Sequence, residues 1–243
     1  MPSGGVFTLL GLGLVFGLKH ASEVDHIVAV STIVSEQRNV MRSSLVGGLW
    51  GLGHMASLVI VGALVLVFRV AISPSIAGWL EFGVAVMIVG LGVLALLRVF
   101  RGRADVHIHR HDHDGLSHVH VHFHEPQQEH RHAATQHSHA VSKVALKPLI
   151  VGAMHGLAGS AALTLLVLTQ VDSILWGTLY LVCFGIGATI GMLLMSGLIG
   201  LPFALSARRL SGISYGLQTV AGVLSIAFGL WYAYHIGSSN SFW

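Results

Sequence analysis

Six long apolar stretches alternate with polar connections along this chain. A stretch of about twenty apolar residues, wound as an α-helix, is long enough to cross the hydrocarbon core of a bilayer. The stretches are Val6–Val34, Leu45–Val70, Ile76–Phe100, Pro148–Gln170, Ile174–Leu201 and Ile213–Ile236. The pattern therefore predicts an all-α polytopic membrane protein with six transmembrane helices.

The connection after the third stretch is long and polar, and it divides the chain. It has too few apolar residues to bury a core, so we expect a disordered loop. The predicted parts are a first transmembrane unit of three helices over residues 1–100, a histidine-rich loop over residues 101–147, and a second transmembrane unit of three helices over residues 148–243.

Composition agrees with a membrane location. Hydrophobic residues make up 53% of the chain and charged residues 9%, whereas about a quarter of the residues in soluble domains are charged. The lipid bilayer is therefore an expected partner. The formal net charge of +3 does not predict nucleic-acid binding, because the basic residues lie mainly in the connections.

The basic residues are concentrated on one side of the predicted membrane. Those on that side are Arg38, Arg42, Arg98, Arg101, Arg103, Arg110, Arg131, Lys143, Lys147, Arg208 and Arg209. The opposite connections have only Arg69, and Lys19 lies within the first span. Cytoplasmic connections are enriched in Lys and Arg. We therefore expect a multi-pass protein of the cell (inner or plasma) membrane, with both termini outside and the long loop in the cytoplasm.

The two transmembrane units match each other at a nearly constant offset. The matched residues are Gly17 and His20 with Gly152 and His155 at an offset of 135, Trp50 and Gly53 with Phe184 and Gly187 at 134, and Gly92 with Gly229 at 137. Because each unit has an odd number of spans, the two must be inverted relative to each other. The sequence thus predicts a 3+3 inverted repeat, an architecture that holds transported substrates near the middle of the membrane.

The first predicted span contains four ionisable residues within seven positions, two imidazoles and two carboxylates. Such side chains are costly inside a membrane, and where they occur they usually face a cavity, a partner or an ion path. On a straight helix His20, Glu23 and His26 would share one side. A break near Gly17 or Asp25 would let all four converge, as discontinuous helices do at transporter sites.

Two further histidines, in the second and fourth spans, lie beside glycines that permit close helix approach. We predict that His20, Asp25, His26 and His54 bind a metal ion, with Glu23, His155 and Lys19 as secondary ligands or neighbouring charges. Imidazole and carboxylate without thiolate suit a borderline divalent metal such as nickel, cobalt or zinc. A proton path is the main alternative, since the same residue types form proton relays.

These residues resemble the nickel/cobalt transporter family of membrane permeases. The family has a His-x4-Asp-His signature in an early span, found here within Lys19–Ile27, and a Leu-Gly-His element, found here within Leu52–Val59. Glu23 stands where the family usually has Asp. In place of the later acidic motifs, His155–Ala162 is similar to the shorter urease-accessory and hydrogenase-accessory relatives. The resemblance implies that the four predicted ligands take part in selecting or moving a divalent metal.

Most of the remaining histidines are in the long loop, which holds twelve of the 17. Two runs alternate strictly with other residues: His107, His109, His111 and His113, then His118, His120, His122 and His124. In an extended chain such residues share one face, and His-rich tracts bind metals. We predict that these eight bind metal. A pH-sensing loop is the alternative, because imidazole titrates near neutrality.

The sequence therefore predicts a membrane permease, not an enzyme, that moves divalent Ni²⁺ or Co²⁺, with Zn²⁺ as a further candidate and with no fixed cofactor. The alternative is a membrane accessory protein that delivers nickel to urease or hydrogenase maturation. A cytoplasmic metallochaperone is then a candidate partner. A membrane metalloenzyme is a third hypothesis, which no nucleophile or general base beyond the ligands supports. The sequence predicts no particular oligomeric state or transport direction.

Overall fold

The structure is a computed structural model that describes residues 3–70, 72–104, 106–113, 116–123, 146–159, 173–209 and 211–240. Its helices are α1 (Ser3–His20), α2 (Val24–Val34), α3 (Val40–Phe68), α4 (Pro74–Ala104), α5 (residues 146–159), α6 (Ile174–Arg209) and α7 (Ser211–Ser239). Between α4 and α5, the strands β1 (Val106–His113) and β2 (Leu116–Phe123) form an antiparallel pair.

Four of the described helices are long and apolar enough to cross a membrane. They comprise Val40–Phe68, Pro74–Arg101, Ile174–Ser206 and Ile213–Ser239, which correspond to the predicted spans two, three, five and six. The predicted fourth span, Pro148–Gln170, is helical as far as residue 159, and its remainder lies outside the described residues. The chain is thus a multi-pass membrane protein with a helical body.

The outer surface of this body is apolar. Along α3, for example, Leu45 is 61% exposed, Ile60 60% and Phe68 69%. A contiguous apolar surface of this kind would be unusual on a protein in water, and it is what a lipid environment requires.

The first predicted span is two helices instead of one. Residues 21–23 form a turn between α1 and α2. Ser22 Oγ donates a hydrogen bond of 2.6 Å to the carbonyl three residues earlier, and Glu23 has extended backbone, with φ −66° and ψ 149°. Side-chain bonds of this type compete with helix continuation. The break falls between Gly17 and Asp25, inside the ionisable cluster.

Glycines bring pairs of helices into backbone contact, with α1 and α3 packed along α6, and α4 along α7. At each of these glycines a Cβ atom would press on the facing helix. The glycines and the residues whose carbonyl oxygens they face are Gly17 and Phe184, Gly187 and Leu14, Gly152 and Trp50, Gly53 and Leu149, Gly92 and Gly222, and Gly229 and Ala85. Each contact has a counterpart about one repeat offset away in the sequence. Gly17 meets Phe184 as Gly152 meets Trp50.

The hairpin of β1 and β2 lies inside the loop that the sequence predicted to be disordered. Its register pairs His107 with His122, His109 with His120 and His111 with His118. Histidine alternates here with valine and isoleucine, and this period of two with β-branched residues is typical of strands. His124 lies outside the described residues, as does the rest of the loop to residue 145.

We expect Gly17→Ala to destabilise the protein, since the new Cβ would overlap the backbone of α6. Overpacking of this kind typically costs about 1–3 kcal/mol. Gly11→Ala, in the same helix, is the matched control because nothing lies within 4 Å of its Cβ position. Thermal unfolding in detergent, followed by circular dichroism, measures both. Equal midpoints for the two variants would contradict the packing described.

Candidate metal centre

Histidines from four helices meet beside the break in the first predicted span. His20 ends α1, His26 is in the first turn of α2, His54 is in α3 and His155 is in α5. The ring centroid of His26 lies 4.5 Å from that of His20, 5.4 Å from that of His54 and 4.2 Å from that of His155. Three of the side chains are fully buried, and that of His20 is 12% exposed.

Local structure accounts for this convergence. On a continuous helix, residues six positions apart lie roughly 9 Å apart along the axis, so the turn at residues 21–23 is what brings His20 and His26 together. On the opposite side, Gly156 lets α5 approach α3 so closely that a Cβ there would overlap the backbone of His54. The rings of His54 and His155 are consequently 6.0 Å apart.

Two carboxylates hold three of the imidazoles in place. Asp25 Oδ1 lies 3.0 Å from His26 Nδ1, and Asp25 Oδ2 lies 2.9 Å from His155 Nε2. Glu23 Oε1 lies 3.0 Å from Nδ1 of His20. An ionised carboxylate can only accept hydrogen bonds, so each imidazole donates its N–H and keeps a lone pair on its other nitrogen.

Those other nitrogens are buried and have no hydrogen-bond partner among the described residues. They are Nε2 of His20 and His26, Nδ1 of His155, and both ring nitrogens of His54. A buried polar atom without a partner destabilises a protein by about 1–3 kcal/mol. A bound cation would satisfy the lone pairs among these nitrogens. Histidines that ligate metals almost always donate their second N–H to a carboxylate or carbonyl, as His20, His26 and His155 do here.

Two overlapping sets of side chains have the spacing of metal ligands. His20, His26 and His54 form one set, and Asp25, His26 and His155 form the other. Within each set the ligand atoms lie within 4.8 Å of one another. His26 belongs to both sets.

The structure thus brings the four predicted ligands together and adds His155 at the same level. His155 was predicted as a secondary ligand, and its match to His20 in the repeat was the signal for a closer role. Glu23 contacts the cluster through His20. Lys19 is exposed and lines a cavity that reaches the cluster.

Aromatic rings enclose the imidazoles. The indole of Trp50 lies 5.3 Å from the ring of His26 and 5.5 Å from that of His155. Phe184 lies 5.3 Å from His20. These two aromatic residues are matched in the sequence repeat, which was the signal that could have assigned them to the site. Both are buried and pack directly against the imidazoles.

Two cavities lie toward opposite ends of α4, and the larger reaches the cluster. The larger, of about 570 Å³, is lined by Glu23, Asp25, Glu81, Tyr180, Tyr232 and three of the histidines, among other residues. It lies near the ends at which α4 and α6 begin. The smaller, of about 330 Å³, is lined by the ion pair of Glu36 with Arg98 and by Lys147, near the opposite end of α4. A buried hydrogen bond between Thr32 and Ser225 joins α2 to α7 beside it.

Comparison with known proteins identifies the family. No protein-family model matches the chain, and no solved structure matches it. The urease accessory protein UreH of Bacillus sp. (strain TB-90) is 37% identical over 239 residues, which cover 98% of this chain and 95% of that protein. The chain belongs to the UreH family. This confirms the resemblance to the nickel/cobalt transporter family that the sequence indicated, and in particular to its shorter urease-accessory members.

We expect Asp25→Asn to weaken Ni²⁺ binding more than Glu23→Gln does. Asp25 is 20% exposed and meets two buried imidazoles, whereas Glu23 is 56% exposed and meets one, so water can replace its hydrogen bond. Loss of such a supporting carboxylate typically costs roughly 10- to 100-fold in metal affinity. Calorimetric titration of the purified protein with NiCl₂ gives the order. His235→Gln, at an exposed residue of α7, is the control, and the reverse order would contradict the geometry.

Proposed function

We propose that this protein is a membrane permease that carries Ni²⁺, or Co²⁺, through the histidine cluster. The observation that supports this most is the set of buried ring nitrogens on His20, His26 and His54 that lack partners among the described residues. They lie among membrane-spanning helices, where ionisable side chains usually mark a binding site or a path for an ion.

The donor set supports the choice of metal. Imidazole nitrogens backed by carboxylates suit nickel, cobalt and zinc, whereas calcium and magnesium prefer oxygen ligands. The relative at 37% identity is named a urease accessory protein, and urease maturation uses nickel. Nickel is therefore our first choice, with cobalt next and zinc third.

We further propose that the chain is a six-span inverted repeat that exposes the site alternately. The paired glycine contacts of α1 with α6 and of α5 with α3 support this, because each residue in one pair has a counterpart in the other. The two cavities toward opposite ends of α4, of which the larger reaches the cluster, support it too. Rocking of one repeat against the other would open one cavity to the metal as it closes the other.

The distribution of basic residues supports an orientation with both termini outside and the histidine-rich loop in the cytoplasm. The smaller cavity, lined by Arg98 and Lys147 near the two ends of that loop, would then open to the cytoplasm. Histidines of β1 and β2 would bind metal near this opening, where they could supply or receive the ion.

A second candidate function is supported by the name of the relative. A urease accessory protein could hold nickel in the membrane and deliver it to a cytoplasmic metallochaperone without carrying a flux. Both functions use the same cluster, so metal binding alone does not separate them.

Flux through liposomes separates them. Purified protein in vesicles containing a nickel-sensitive dye should admit external NiCl₂ faster than empty vesicles, and His26→Ala should abolish the difference because His26 belongs to both ligand sets. The control is His235→Gln. Wild-type protein that binds nickel but admits none would exclude the permease and leave the accessory function.

Cellular metal content tests the role in vivo and the contribution of the loop. In cells we expect His26→Ala to abolish the effect of the wild-type protein on nickel content, and deletion of residues 105–140 to reduce that effect without abolishing it, since the deletion leaves the buried cluster intact. Elemental analysis of nickel, cobalt and zinc gives the measurement. An increase in nickel content caused by the wild-type protein indicates uptake, and a decrease indicates export. If His26→Ala cells matched wild-type cells for all three metals, the proposed site would be wrong.

A further inference from the structure

The two ligand sets that share His26 raise the question whether the cluster is one metal position or two. The geometry points to two: one formed by His20, His26 and His54, and a second formed by Asp25, His26 and His155, between which a single ion steps. This inference rests on the proposed function, because a second position matters for an ion that must leave the first.

The hydrogen bonds separate the two positions. At His26, Nδ1 meets Asp25 Oδ1, while Nε2 is buried without a partner among the described residues. The ring therefore presents one nitrogen toward Asp25 and keeps the other for the remaining imidazoles. An ion at the second position would take the place of the two N–H protons that Asp25 accepts, and those protons would move to the unpartnered nitrogens, Nε2 of His26 and Nδ1 of His155. To reach the first position, Asp25 would instead have to leave both imidazoles.

The two positions also differ in donor chemistry. The first has three neutral imidazoles, and the second replaces one of them with a carboxylate oxygen. An ion path needs binding that is strong enough for entry and divided over more than one place, so that the ion can leave. An oxygen donor next to a nitrogen-rich position meets that need. His26 serves both positions because its Nδ1 faces Asp25 while its Nε2 has no partner among the described residues.

The cavity supports the same arrangement. The larger cavity is lined by His20 from the first position, by Asp25 and His155 from the second, and by the shared His26. His54 is completely buried and is not among its lining residues. An ion arriving through this cavity can therefore meet either position, and His54 distinguishes the deeper one.

Binding of Co²⁺ to the purified full-length protein tests the inference without any measurement of flux. His54→Gln disables the first position and should leave weaker binding at the second. In that background, adding His155→Gln should lower the remaining affinity by more than about tenfold, a loss of about 1.4 kcal/mol, and by clearly more than adding His20→Gln does. Competition with a coloured chelator measures each affinity.

Two outcomes would overturn the inference. If His20→Gln and His155→Gln weaken the remaining binding alike, the four histidines form a single position. If His20→Gln has the larger effect, Asp25 and His155 only support the imidazole site. Should the His155 double variant fail to fold, Asp25→Asn in the His54→Gln background, compared with Glu23→Gln as the matched control, decides the same question.

Liposome flux gives the independent readout. With two positions, His155→Gln in the otherwise wild-type protein should lower the rate of Ni²⁺ entry by about tenfold or more, a larger factor than its effect on Ni²⁺ affinity. A rate equal to wild type would overturn the second position. Wild-type protein without flux would instead overturn the proposed permease, and the Co²⁺ competition would still show whether two positions exist.

Discussion

Asp25 accepts hydrogen bonds from two buried imidazoles, one in the next residue and one in the opposite half of the chain. In a membrane interior an ionised carboxylate without partners is too costly to keep, so these contacts decide whether the charge can be there at all. They fix the ring nitrogens that remain free on His26 and His155. They also join α2 to α5. A shift of one half of the chain relative to the other would therefore change which ring nitrogens Asp25 contacts.

The glycine contacts are the second requirement. Histidines on α3 and α5 can meet only if their helix backbones nearly touch, and Gly53, Gly152 and Gly156 provide that approach. Helices in lipid gain little from burying apolar side chains against each other, so close backbone packing is a main source of their association. The same residues therefore stabilise the bundle and set the spacing of the buried histidines.

Much of this was accessible from the sequence, for identifiable reasons. Spans two, three, five and six were predicted because a bilayer demands long apolar helices, and His20, Asp25, His26 and His54 because ionisable residues are rare in such helices. The rest depends on distance in three dimensions. His155 joins the cluster, and Trp50 packs against it, because α3, α5 and the broken first span meet there. The exact place of the break, at residues 21–23, depends on local hydrogen bonds that a hydropathy pattern does not show.

The break between α1 and α2 has an electrostatic consequence. α1 ends at His20, which belongs to the cluster, and a helix carries about half a negative charge at that end. α2 begins beside Asp25, whose carboxylate accepts the backbone N–H of His26 at 2.9 Å, at the end where a helix carries about half a positive charge. The two short helices thus create a field that attracts a cation at one end and stabilises a buried anion at the other. Because this field comes from the backbone, it persists through any change of side chain that leaves the break in place.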